Sequence, residues 1–180
     1  ILERAAKKLG LNPYPAPVAI LSKPHNGRPS CISCGWCNGF GCEVDAKSSS
    51  MVAMIPLALA TGKCELRVLS TVSRIDTDAA GRATEVVYFD ENGIEQAQKT
   101  KAVVVSANGA ETPRLLLMSD SSLFPQGLAN SSGIVGQNLM FNGYSSVAGL
   151  FDEPVNAWKS IPATRVVHDF YELDPALGFY

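Results

Sequence analysis

The chain has 180 residues, of which 46% are apolar, enough to bury the core of one ordinary domain. Its 15 basic and 17 acidic side chains give a net charge of -2, which excludes the strongly basic surface typical of nucleic-acid-binding proteins. No apolar run reaches the roughly 20 residues of a transmembrane helix, so any membrane association is expected to depend on a partner. The sequence starts at Ile1 rather than Met, inside a predicted helix, and is expected to be a fragment.

The first third of the sequence predicts short helices separated by irregular chain. Apolar residues at i, i+3, i+4 and i+7 predict an amphipathic helix over residues 2–9. Prolines recur through residues 13–30 and exclude regular structure there. A second helix is predicted over residues 48–60, with a kink at Pro56 and an end at Gly62.

A run of strands is predicted next. Residues 65–75 and 83–89 have the pattern of strands, and Asn92-Gly93 is a strong hairpin signal. A third strand is predicted to return over residues 93–99. The three together predict a β-meander.

A strand, a glycine turn and a helix are predicted in succession after the meander. Residues 102–107 are apolar without alternation, as in a parallel strand that is buried on both faces. Asn108-Gly109 forms the turn, and Thr112-Pro113 opens a helix that continues through residues 115–118. Such a turn lets the backbone approach a phosphate or a flavin, but many α/β proteins have it without a ligand, and both interpretations stand. Loops are predicted over residues 119–142.

Four of the five cysteines lie within twelve residues, in the stretch CISCGWCNGFGC. They are Cys31, Cys34, Cys37 and Cys42. This spacing is close to the ferredoxin-like run in which thiolates two residues apart bind an iron-sulfur cluster. Three glycines among them favour tight folding around a cluster and can offer N–H groups to its sulfides. The spacing favours an iron-sulfur centre.

Three other interpretations of these cysteines stay open. A four-cysteine zinc site is one, although such sites usually have two CxxC pairs a dozen or more residues apart. A disulfide across a CxxC pair, or between Cys37 and Cys42, is another. The thiols could also be free. Cys64, outside the run, is predicted to be a core residue.

The two histidines and a tryptophan are the remaining residues of chemical interest. His25 and His168 have no acid, base or nucleophile companion in the sequence, and each is predicted to be a surface or hydrogen-bonded residue. Trp36 lies inside the cysteine run, where it could shield a cluster from water or simply pack.

The ordered set CxxCGxCxxxGCxxxAKSS, TVSRI, VVVSANGAETPRLLL and GLANSSGIVGQNLM resembles the glucose-methanol-choline (GMC) oxidoreductases. Within that family it is most like the flavoprotein large subunit of bacterial gluconate- and sorbitol-type dehydrogenases. The resemblance implies an α/β fold. Residues 1–150 would be the interior part of a Rossmann-like FAD-binding domain with a β-meander insertion, and residues 151–180 the start of a substrate domain.

The same resemblance implies the cofactors, the reaction and the partners. A sugar, sugar acid or polyol hydroxyl would be oxidised by hydride transfer to FAD. Val72 would meet the adenine, and Ala107, Asn108 and Gly109 would line the flavin. The cysteines would bind a three-iron or four-iron cluster, with electrons passing to a cytochrome c subunit. A small escort subunit and a location on the periplasmic side of the inner membrane are also expected.

The sequence departs from the family pattern in several places. The family usually has glycine where Asn108 and Asp45 stand. The G-x-G-x-x-G unit that holds the FAD pyrophosphate is absent from this sequence, as is the carboxy-terminal histidine pair, so no catalytic residue is assigned. Two alternatives stay open: an electron-transfer or structural metal module without flavin chemistry, and a disulfide-pinned flavoprotein without a cluster.

Overall fold

The computed structural model describes residues 1–156, 158–159, 161, 163–170 and 176. The chain forms two compact units: the first unit is Ile1–Glu65 with Val147–Tyr180, and the second unit is Leu66–Ser146. The first unit contains α1 (Leu2–Lys8), β1 (Tyr14–Pro15), α2 (Ser50–Ala53), α3 (Ile55–Ala60) and β5 (Arg165–Val166). The second contains β2 (Thr71–Thr77), β3 (Ala83–Phe89), β4 (Glu95–Lys99) and α4 (Asn108–Met118). Among the described residues, no helix is long and apolar enough to cross a membrane.

In the first unit, α1 is joined to the β1–β5 pair by charged groups. The pair is antiparallel, with Tyr14 opposite Val166, so the prediction of no regular structure over residues 13–30 is wrong at Tyr14–Pro15. The Glu3 carboxylate accepts from the Lys7 ammonium at 2.9 Å and from the Arg165 guanidinium at 2.8 Å. These contacts lower the pKa of Glu3 from 4.5 to about 2, with the Lys7 hydrogen bond as the largest cause and the Arg165 hydrogen bond next. Glu3 thus connects segments far apart in the sequence.

We expect Glu3→Gln to lose a pH-dependent part of the protein's stability. A carboxyl group whose pKa is lowered on folding stabilises the folded state fully above its unfolded pKa of 4.5, and loses that effect as the pH falls toward about 2. The melting temperature of wild type should therefore exceed that of Glu3→Gln at pH 6, and the difference should shrink progressively below pH 4.5. Glu91→Gln, in an exposed turn, is the control. A pH-independent difference would contradict the role of Glu3.

The helix predicted over residues 48–60 is present but interrupted. It is observed as α2 and α3, which meet at Met54. Pro56 lies in the first turn of α3, where its missing N–H costs nothing, but it cannot serve as a donor for a continuous helix. The kink predicted at Pro56 is observed as an interruption of the helix at Met54, two residues earlier.

The predicted meander forms the sheet of the second unit. Its strands are antiparallel in the order β2-β3-β4. The two turns share an Asp-x-x-Gly pattern in which Oδ1 of Asp78 or Asp90 accepts the backbone N–H groups two and four residues later. The pKa of each aspartate is lowered, most strongly by the N–H four residues on. Gly81 and Gly93 supply the left-handed conformation, with φ of 78° and 73°.

Helix α4 packs on β2 around one buried hydroxyl. Ile75 and Val87, on neighbouring strands, are 5% and 2% exposed. The backbone N–H of Ile75 donates to Ser119 Oγ at 2.9 Å, and that hydroxyl donates to the Leu115 carbonyl at 2.7 Å. Because Ser119 is itself buried, these bonds fix the end of α4 against the sheet.

Two predicted strands differ from the structure. The strand predicted over residues 65–75 is observed only from Thr71, as β2. The buried strand predicted over residues 102–107 does not form: this segment pairs with no other in the described chain, and Val104 is 90% exposed. A parallel strand needs neighbours for its backbone groups, and the described sheets provide none beside it.

Candidate functional site

The predicted flavin-facing turn opens α4 in the second unit. Asn108 has the left-handed φ of 71°, and its Oδ1 accepts the N–H groups of Ala110 and Glu111 at 2.8 and 3.0 Å. The Ala107 N–H donates to Thr112 Oγ1 at 3.1 Å. Side chains of the turn therefore satisfy donors that the start of a helix leaves unpaired. The sequence motif predicted the turn but not these capping contacts.

An open hollow of about 540 Å³ lies beside this turn. Apart from its chain neighbours and the nearby backbone of α4, no heavy atom of the described chain lies within 4 Å of the position that a Cβ on Gly109 would occupy. Six of the residues that line the hollow are Gly109, Pro113, Leu117, Met118, Gly136 and Gln137. A largely apolar wall beside an unobstructed backbone turn fits the edge of a flat ring such as a flavin. No sequence motif indicated that residues 136–137 line this hollow.

Val72 is the residue predicted to meet the adenine of FAD. This residue lies on β2, is 42% exposed and pairs with Tyr88 just before an irregularity in the ladder. The contact between β2 and α4 through Ser119 is at the carboxy-terminal end of α4. Asn108 lies at the other end, about 16 Å away at 1.5 Å per residue. An adenine contact at Val72 therefore stays a prediction.

The cysteine loop, residues 31–42, belongs to the first unit and contains no helix or strand. Backbone bonds from residues 19–21 hold both ends of the loop. The Cys31 N–H donates to the Leu21 carbonyl at 2.8 Å, and the Leu21 N–H donates to the carbonyl of fully buried Ala46 at 2.9 Å. The Ser48 N–H adds a bond to the Ala19 carbonyl at 2.7 Å. Backbone bonds thus close the base of the loop.

The side chain of Lys47 is directed at this loop. No role for this residue was predicted from the sequence. Its ammonium donates to the carbonyl oxygens of Cys37 at 2.8 Å and Phe40 at 3.1 Å. Its backbone N–H lies 3.5 Å from Cys42 Sγ, within hydrogen-bond reach of sulfur. Lys47 directly precedes Ser48, Ser49 and Ser50, and nothing in that local sequence indicates a contact with the loop.

All five cysteines are unbridged. Sulfur atoms at both ends of the cysteine loop accept backbone N–H groups, Cys31 from Ser33 at 3.3 Å and Cys42 from Lys47. The pKa of Cys42 is lowered, chiefly by the Lys47 N–H and further by those of Val44 and Ala46, while burial opposes the shift. Amide groups directed at sulfur favour the thiolate form.

The four thiols of the loop do not converge in this structure. Within the part of the chain that the structure describes, no three Cys, His, Asp or Glu side chains are grouped so that they could hold a metal ion. The residues as arranged therefore do not fit a shared cluster, and metal ligation by Cys31, Cys34, Cys37 and Cys42 stays a prediction.

The remaining sequence candidates lie on the surface or in hydrogen bonds. Cys64 is exposed, so its predicted place in the core is wrong: residues 61–69 are all exposed and bring nothing to cover it. Trp36 is 63% exposed and meets the Phe40 ring edge to face at 5.3 Å. His25 lies in an exposed turn, and His168 Nδ1 shares a hydrogen bond of 2.5 Å with the Tyr14 hydroxyl.

Comparison with known families decides the relationship that these features suggest. The model of the GMC oxidoreductase family matches residues 1–142. The chain belongs to the GMC oxidoreductase family. The predicted fold class, an α/β chain that forms part of a Rossmann-like FAD-binding domain with a β-meander, is confirmed by this match and by the β2–β4 sheet.

Three relatives show how the match is distributed. The 2-methyl-1,2-propanediol dehydrogenase of Mycolicibacterium austroafricanum is 36% identical over 180 residues, 98% of this chain and 32% of the relative. The fructose dehydrogenase large subunit of Gluconobacter japonicus is 33% identical over 135 residues, which are 74% of this chain and 24% of the relative. The gluconate 2-dehydrogenase flavoprotein of Pantoea cypripedii is 31% identical over 159 residues, which are 85% of this chain and 26% of the relative. The chain thus spans about a quarter to a third of their length.

Asn108 and Asp45, where the family resemblance leads us to expect glycine, share one backbone feature. Asn108 and Asp45 both adopt left-handed backbone, with φ of 71° and 54°. Asparagine and aspartate are the residues besides glycine that tolerate this region best. Both residues therefore keep a backbone conformation that glycine would also adopt, and the first turn of α4 keeps its open approach.

Proposed function

We propose that the whole protein is an FAD-dependent dehydrogenase that oxidises a hydroxyl group of a sugar, sugar acid, polyol or related alcohol. The observation that carries the proposal is the GMC oxidoreductase match over residues 1–142. The open turn at Asn108 and Gly109 beside an apolar hollow supports it, because a flavin ring needs such a wall. The relatives' names support alcohols and sugars as the substrate class.

The reaction is a balanced two-electron oxidation. The carbon that carries the hydroxyl group loses a hydride and the hydroxyl loses a proton, so that an alcohol becomes a carbonyl compound. Bound FAD supplies the hydride acceptor. In this chain, the capped turn of residues 107–109 would fix the backbone beside the flavin, and the hollow would exclude water from its edge. The group that takes the hydroxyl proton is not assigned to this chain.

A steady-state assay of the full-length protein tests this activity. Fructose, gluconate and 2-methyl-1,2-propanediol, taken from the relatives' names, would be offered with an artificial electron-acceptor dye. We expect FAD in the supernatant after heat denaturation, and dye reduction that depends on at least one hydroxyl compound. Protein stripped of flavin is the control. Purified protein that carries no flavin, or bound FAD with no turnover across a wider alcohol panel, would contradict the proposal.

We also propose that the cysteine loop binds an iron-sulfur cluster, which would supply a one-electron acceptor. The spacing of Cys31, Cys34, Cys37 and Cys42 and their unbridged state support this. The separation of the four thiols in the structure counts against it. Iron and acid-labile sulfide analysis of anaerobically purified full-length protein tests it. Iron and sulfide in stoichiometric amounts are expected, whereas zinc alone or no metal would overturn the cluster.

The spacing of the four cysteines also favours one alternative function, that of an electron-transfer or structural metal module without flavin chemistry. The same purified protein distinguishes the two, since metal without FAD would support the module. A cytochrome c subunit, a small escort subunit and a periplasmic location are proposals that follow from the family resemblance. Cell fractionation and co-purification test them, and full-length protein recovered alone from the cytoplasm would contradict all three.

A further inference from the structure

We propose that Lys47 is the positioning residue of the cysteine loop: its ammonium binds the Cys37 and Phe40 carbonyls and so sets where the thiols of Cys37 and Cys42 are presented. The inference concerns the metal-free loop, and it stands whether or not the proposed cluster exists. It goes beyond the proposed oxidation of alcohols, in which Lys47 has no part.

The cysteine loop lacks the usual means of holding a fixed shape. It contains no helix or strand, and its large apolar side chains, Ile32, Trp36 and Phe40, are all more than half exposed. Packing against a core therefore contributes little to its order. The backbone bonds described above close the base of the loop near Cys31 but do not reach residues 37–40.

Lys47 supplies the missing restraint. Among the described residues, it alone donates side-chain hydrogen bonds to residues 34–41. The two acceptors are carbonyls three residues apart in one turn, and both bonds are charge-assisted because the donor is an ammonium. They fix the orientation of that turn from one point.

The backbone of Lys47 is itself held in place, which fixes the point from which its side chain extends. Lys47 forms an isolated antiparallel bridge with Ile20, next to fully buried Ala46. Arg28 strengthens this anchor by donating to the Asp45 carbonyl at 3.1 Å and to Ser48 Oγ at 3.2 Å. The backbone of Lys47 also approaches Cys42 Sγ, so one residue links both cysteines.

Position-resolved thiol labelling of the full-length protein tests this role. The protein would be reduced and chelated so that a bound metal masks no thiol, and each cysteine's alkylation rate would be read by mass spectrometry. In Lys47→Met, we expect alkylation of Cys37 and Cys42 to accelerate about tenfold, as loss of charge-assisted bonds releases the turn. Cys31 should change little, because its own N–H bond to Leu21 is intact.

Two variants separate positioning from general loosening. Lys47→Arg should restore near wild-type rates, because a guanidinium can donate to both carbonyls. Lys23→Met, which removes an exposed lysine in the same unit, should have no effect. Unchanged rates at Cys37 and Cys42 in Lys47→Met would overturn the proposal. Equal acceleration of all five thiols with unchanged circular dichroism would also overturn it.

If the circular dichroism spectrum shows that Lys47→Met is unfolded, Lys47→Gln is used in its place. Its amide can donate two hydrogen bonds but carries no charge, so its bonds to the carbonyls are weaker, and the rates at Cys37 and Cys42 should then rise in the order Lys, Arg, Gln. The absence of that order would overturn the proposal. Iron content measured on the same variants shows separately whether the cluster proposal holds, since the labelling itself requires no metal.

Discussion

Replacing Gly127 with alanine is expected to lower the stability of the second unit by about 3 kcal/mol, more than an ordinary glycine substitution. Gly127 has the left-handed φ of 91°, and a Cβ there would lie 2.7 Å from both the Leu116 carbonyl oxygen and the Leu117 Cα. Both atoms belong to the backbone of α4, which cannot shift without straining the 2.8 Å bond from the Leu128 N–H to the same carbonyl.

Gly133→Ala is a matched control in the same loop region. Gly133 also has a left-handed φ, 71°, but no heavy atom lies within 4 Å of its Cβ position. This variant should lower the free energy of unfolding by about 1 kcal/mol, which is the cost of placing alanine in the left-handed backbone conformation. Thermal melting, with hydrogen exchange of the α4 amides as the local readout, compares the two. Equal losses would show that the loop does not pack on α4 as described.

Asn108→Val is expected to have the second large effect, at the flavin-facing turn. A β-branched residue at φ of 71° is strained, and the substitution also removes the acceptor of two N–H groups. We expect a loss of about 3 kcal/mol and a lower FAD content in the full-length protein. Asn108→Gly should keep most of the FAD, because glycine restores the left-handed backbone without the cap.

Asn26→Val controls for strain alone in this experiment. Asn26 is an exposed residue of the first unit with φ of 46°, outside the proposed flavin wall. It should lower stability without altering FAD content per folded molecule. If Asn108→Val kept its full FAD content, the placement of a flavin beside this turn would be wrong.

Elements governed by local chemistry were predictable from the sequence. The spacing of Leu2, Ala5 and Leu9 predicted α1, which ends one residue earlier than expected. Pro56 marked the break between α2 and α3, and Asn92-Gly93 marked a hairpin. In each case a few adjacent residues determine the backbone conformation, so no distant contact is needed to infer it.

Features that depend on distant partners were not predictable. Residues 102–107 have the composition of a buried strand, but composition does not supply the neighbouring strands that would pair with it. Cys64 has the residue type of a core position, yet its surroundings leave it exposed. The Lys47 contacts depend on a turn ten residues away that is folded by its glycines, and spacing alone does not indicate it.

Anaerobic reduction of the full-length protein by an alcohol tests the central claim most directly. As purified, the protein should show the visible absorbance of oxidised flavin. Adding a hydroxyl substrate without oxygen or dye should bleach that absorbance in one turnover, with one carbonyl product formed per flavin. A protein whose flavin stays oxidised with every alcohol offered, while dithionite bleaches it, would contradict the account.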